Sequence, residues 1–151
     1  MNERTLQPVV VRPQAPRRLS TVNVETDDKC FLFPQGKALS HIVFTWLQDT
    51  VRITAAFHYN QARSDGHIAD LGVEEAVELT RYLVDAFYQS RTQTVLSDKV
   101  KATVIHHPNG FQLVFEQEGE TREVYCGQAS PVRLARGLSQ LLDANIPTDA
   151  N

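Results

Sequence analysis

The chain has 151 residues, 42% hydrophobic and 22% charged, the proportions of one ordinary globular domain rather than of a disordered chain. A formal net charge of -3 argues against a dedicated duplex-DNA binder but leaves room for a local basic surface. No run approaches the roughly 20 apolar residues of a membrane span, and Val9–Val11 is too short and too close to prolines for a signal-peptide core, so a soluble, cytoplasmic protein with no membrane partner is expected.

Residues 1–20 carry Pro8, Pro13 and Pro16 among Arg4, Arg12, Arg17 and Arg18. Such a stretch reads as a basic arm outside the folded domain. Either it is a solvated tail, or Arg12, Arg17 and Arg18 contact a polyanion or a protein partner. The domain itself is expected over 21–146, with a short tail at 147–151.

Residues 21–34 read as a hairpin. Val22 and Val24 alternate with polar residues, Thr26–Lys29 supplies turn chemistry, and Cys30–Phe33 returns. A second hairpin is expected over 40–59. Ile42, Phe44 and Trp46 share one face of its first strand. Val51, Ile53, Ala55 and Phe57 share one face of its second, and Arg52, Thr54 and His58 point the other way. The turn falls near Gln48–Thr50. Residues 60–71 read as a polar loop with a short strand at His67–Leu71.

The clearest helix is Gly72–Ser90. Val73, Ala76, Val77, Leu83, Val84 and Phe87 recur at three- and four-residue steps, and Leu79, Tyr82 and Ala86 widen the stripe. Glu74 and Glu75 suit the positive end of the helix dipole. Gly72 with Glu75, or Asp70, supplies the cap. An apolar face this wide wants a sheet to lie on.

A connector, Arg91–Asp98, leads into a three-stranded meander over 99–127, with tight turns at Pro108-Asn109-Gly110 and Glu118-Gly119-Glu120. Ser130-Pro131 then opens a helix with Ser as cap and Pro at its first position. Leu134, Ala135, Leu138, Leu141 and Leu142 make its apolar face, and Asn145 and Pro147 stop it.

Leu83-Val84-Asp85-Ala86 in the first helix is echoed by Leu141-Leu142-Asp143-Ala144 in the second, and the strands before each superpose at the same offset. The expected fold is therefore α+β: an antiparallel β-sheet with two helices on one face, built as a tandem β-β-(β)-α repeat over about 40–90 and 99–145 and preceded by a β-hairpin. The uncovered face would carry Arg52, His58, Lys99, Lys101 and His107.

Few residues suggest reaction chemistry. His41, His58, His67, His106 and His107 lack HxH or HExxH spacing, and adjacent His106 and His107 point to opposite faces of a strand, so no metal is expected. Cys30 and Cys126 sit in no CxxC motif and read as free thiols. There is no GxSxG, Walker or dinucleotide-binding glycine pattern, and no cofactor is expected. Only the 64–70 stretch, with Ser64, Asp65, His67 and Asp70, places hydroxyl, acid and base together, and a small enzyme using that loop ranks behind the two classes that follow.

Two functional classes remain. The first is a non-catalytic protein-binding or assembly module that uses a sheet face or edge and pairs with a protein partner or with itself as a homodimer. The second is a single-stranded nucleic-acid binder. In element order alone, several strands followed by a helix and then repeated, the chain resembles Whirly and PUR proteins. That resemblance implies a sheet face offering cations and stacking aromatics. Arg52, His58, Lys99 and Lys101 could supply the cations, while Phe44, Trp46 and Phe111 share parity with core residues. No family residues carry over.

Overall fold

A computed structural model describes residues 19–26, 38–59, 62–108 and 110–147, with 38–40, 56–59 and 62–65 described through their backbone only. The elements run β1 (Thr21–Glu25), β2 (Ala38–Leu47), β3 (Thr50–Tyr59), β4 (Ala62–Gly72), α1 (Val73–Gln89), β5 (Gln93–Leu96), β6 (Val100–His107), β7 (Gly110–Gln117), β8 (Glu120–Cys126) and α2 (Ser130–Asn145). The α+β class with antiparallel strands is as expected. The strands divide into two four-stranded sheets, however, ordered β1-β2-β3-β4 and β5-β6-β7-β8, where one large sheet was anticipated.

Local chemistry explains most of the hairpins. Gln48 and Asp49 adopt φ of 45° and 69° between β2 and β3, and Glu118 and Gly119 adopt 54° and 78° between β7 and β8. Paired positive φ angles match the right-handed twist of the flanking strands. Ser97 organises the β5–β6 turn: its hydroxyl accepts from the amides of Lys99 at 3.2 Å and Val100 at 3.3 Å.

Two expectations change. The 60–71 stretch is not a loop with a short strand, because β4 spans Ala62–Gly72 and pairs with β3 along its length. Ala-Arg-Ser-Asp-Gly has little strand propensity, so the ladder with β3 decides its conformation. The 91–98 connector contains β5, which adds an edge strand to the meander. β1 pairs with β2, and the return strand expected at Cys30–Phe33 lies outside the described residues.

The helices begin near their expected caps. Gly72 is the N-cap of α1, and Glu75 accepts a hydrogen bond from its amide at 2.7 Å. Ser90 closes α1 in the left-handed conformation. α2 starts one residue earlier than expected, with Ala129 at the N-cap and Ser130 buried in its first turn.

The helices pack against each other, and each also lies on the sheet to which it is not directly joined at its start. α1 follows β4 yet rests on β5 and β6; α2 follows β8 yet rests on β1 and β2. One continuous core results, holding Ile42, Val51, Ile53 and Leu71 of the first sheet, Val95 and Phe115 of the second, Leu79 and Leu83 of α1, and Leu134, Leu138 and Leu141 of α2. Each such side chain contributes about 1.5–3 kcal/mol by leaving water. α2 approaches β1 most closely at Gly137, where an added Cβ would stand 2.5 Å from a Val24 methyl.

Candidate functional site

The expected basic face is divided. Arg52 lies on β3 in the first sheet, whereas Lys101 and His107 lie on β6 in the second. Lys99 is not on a strand; it sits in the turn before β6. His58 is on β3, paired in register with Ala38 and Arg63, and its side chain is not among those described. Arg12, Arg17 and Arg18 fall outside the described residues.

Three cations on the strands are met by carboxylates. Arg52 Nε donates to Asp70 Oδ1 at 2.9 Å, Lys101 Nζ stands 3.7 Å from Glu116 directly opposite it on β7, and Arg122 pairs with Glu120. His107 bonds Gln112 at 3.0 Å, and the Gln112 amide continues to Glu123 and Tyr125. Each is a cross-strand or same-strand partnership of the kind that holds an antiparallel sheet together. His106 faces the other way, edge-on to buried Phe111. Phe44 and Phe111 are buried and Trp46 packs on the core, so the outer faces do not receive these aromatics.

One cluster on the first sheet depends on a bulge. Residues three apart on a regular strand point to opposite faces. Ile53 pairs with Ala69 but Thr54 pairs with His67, so Ile68 is an extra residue in β4. Ile68 and Ala69 are both buried, and His67 and Asp70 emerge together on the outside. His67 Nε2 then lies 3.2 Å from Asp70 Oδ1, beside Arg52. Partial burial pushes the Asp70 carboxyl up, but the hydrogen bonds from Arg52 and His67 outweigh it and hold the group below its ordinary value. Asp70 in turn raises the Arg52 guanidinium. The three side chains remain 30–48% exposed on an open strand surface, where water competes for every contact. The 64–70 stretch thus forms part of β4 and presents this charge cluster.

The backbone of Asp70 has a different partner. Gln117 at the end of β7 accepts from its N–H at 2.8 Å and donates to its C=O at 2.9 Å, joining the two sheets through one side chain.

Among the described residues no group of three or more His, Cys, Asp or Glu is placed to hold a metal, and no helix is long and apolar enough to cross a membrane. Cys126 is buried, with its Sγ 3.7 Å from the Phe111 carbonyl oxygen, and Cys30 lies outside the described residues.

Apolar side chains are left exposed on the helices. The buried stripe of α1 is Ala76, Leu79, Leu83 and Ala86. Val77, Val84 and Phe87, expected inside, are 50%, 37% and 38% exposed, and Tyr88 is 71% exposed. The reason is geometric: α2 and the second sheet cover one side of α1, and a stripe wider than that side cannot all be covered. Val77 and Val84 line an open groove of about 930 Å³ between the helices, closed on the far side by Leu142, Ile146 and Pro147 of α2 and its C-terminus. Arg81 and Asp85 stand on the α1 wall, Arg136 and Asp143 on the α2 wall. Sequence reasoning missed this face, although the excess width of the stripe was its signal.

Comparison of the sequence with protein-family models and with curated proteins finds no match.

Proposed function

We propose that this protein is a non-catalytic protein-binding or assembly module whose working surface is the α1/α2 face, in place of the sheet face anticipated from sequence. The observation that carries the reading is the exposed Val77–Val84 side of α1 bordering an apolar groove. Contiguous apolar surface with a polar rim is the common form of a protein interface. Among the described residues, the strand cations Arg52, Lys101 and Arg122 are engaged with carboxylates, which leaves them less to offer a partner.

Light scattering on the full chain should find a stable oligomer, or affinity capture should recover a protein partner in fixed stoichiometry, and Val84→Asp should abolish whichever is found. A strict monomer with no partner sinks the reading.

Single-stranded nucleic-acid binding is the second reading. What favours it is the element order, four antiparallel strands and a helix in each half of the chain, which is the order that prompted the resemblance to Whirly and PUR proteins. The acidic balance and the paired cations weigh against it. A labelled single-stranded oligonucleotide should then bind with affinity falling steeply as salt rises. Flat anisotropy at low salt rules this out.

A further inference from the structure

We infer that the occupant of the α1/α2 groove is a second copy of this chain, docked groove to groove about a two-fold axis. The inference rests on the assembly reading above and names its partner.

Charge selects the partner. The groove carries Arg81 and Asp85 on one wall and Arg136 and Asp143 on the other, two cations and two carboxylates. Among the described residues none of the four is engaged in an ion pair, in contrast to Arg52, Lys101 and Arg122 on the sheets. A strongly basic or strongly acidic partner would meet two like charges wherever it met two opposite ones. A purely apolar segment would desolvate all four without compensation.

A second copy avoids both penalties. On each helix the arginine precedes the aspartate. A two-fold contact is self-complementary, and about an axis perpendicular to the helices it sets each helix antiparallel to its own counterpart. Antiparallel placement reverses the order, so Arg81 comes opposite Asp85 of the partner subunit and Arg136 opposite Asp143 of the partner subunit. Val84 lies between Arg81 and Asp85 in α1, Val77 lies one turn before Arg81, and both supply apolar surface beside the charges.

The test is sedimentation equilibrium of the full chain. Wild type should be a dimer. Val84→Asp places a carboxylate on that apolar surface twice over and should raise the dimer Kd roughly 100-fold with the circular-dichroism spectrum unchanged. Two charge-reversed chains sharpen it: Arg81→Asp with Arg136→Asp, and Asp85→Arg with Asp143→Arg. Each alone should dimerise at least ~10-fold more weakly than wild type, and their equimolar mixture should form a one-to-one heterodimer. A dimer that survives Val84→Asp and both reversals uses another face, which overturns the inference but keeps the protein an assembly module. A monomer that captures a different protein through Val84 also overturns the inference alone. A monomer that captures nothing overturns the inference and the assembly reading together.

Discussion

α1 and α2 are nearly equal in length, 17 and 16 residues, and each follows a four-stranded sheet in the chain, yet they are covered very differently. α2 buries eight residues, from Ser130 and Pro131 through Leu134, Ala135, Gly137 and Leu138 to Leu141 and Leu142. α1 buries four, two of them alanines. Both carry apolar faces. The difference lies in what stands against them: α2 fits closely on β1 and β2, closely enough to require Gly137, while α1 meets β5, whose Val95 is its one fully buried residue, and leaves its valines outside. Similar amphipathic helices in equivalent chain positions can therefore do different jobs, one completing a core and the other presenting surface.

Three measurements would break or sharpen that contrast. The largest effect should come from Leu138→Ala in α2. This side chain is fully buried, and its removal should lower unfolding free energy by about 2–5 kcal/mol in urea denaturation. Val84→Ala in α1, measured at a dilution where the chain is monomeric, should cost no more than about 0.5 kcal/mol. Equal losses would show that the helices are equally structural. Next comes Gly137→Ala. Alanine favours a helix by about 1 kcal/mol over glycine, but here its methyl would meet Val24 and Val22, and the misfit should leave a net loss of about 1–3 kcal/mol by the same measurement. A gain in stability would show that α2 has room to spare.

The smallest effect belongs to Asp70. Its carboxyl is lower in the folded protein than in the unfolded chain, so its stabilising contribution is present above the unfolded-state value of about 3.9 and fades as pH falls through the folded value. Asp70→Asn should cost about 0.2–1 kcal/mol at neutral pH, and the gap to wild type should close below about pH 4. A gap that persists in acid would mean the cluster acts through shape and not through charge.

Legibility in the sequence followed the range of the interactions. The β6–β7 and β7–β8 turns were readable because Pro108 with its neighbours and Glu118-Gly119 specify the bend locally. So was the core face of α2, where leucines and alanine leave little ambiguity. β4 was not readable from Ala62 to Gly66, because pairing with β3 and not propensity makes it a strand. β5 was too short, with Val95 its only deep anchor. The division into two sheets depends on which strands pair, and alternation along one strand cannot report that. Within the candidate site, outward direction was legible for Arg52 and Lys101, but their acceptors Asp70 and Glu116 come from other strands. For Asp70 the register also depends on the bulge at Ile68. The excess apolar width of α1 was visible; that Val77 and Val84 were the surplus could be known only once α2 and β5 had taken the other side.

Gln117 has a consequence of another kind. β4 is the outer strand of its sheet, and an outer strand with free amides and carbonyls invites strands of other molecules to add on, the first step toward aggregates. At Asp70 the Gln117 amide fills both positions that an incoming strand would use, giving and receiving one hydrogen bond as a neighbouring peptide would. A glutamate there could accept but not donate, and a leucine could do neither. The side chain thus occupies the hydrogen-bonding positions that an added strand would need at that point of the β4 edge.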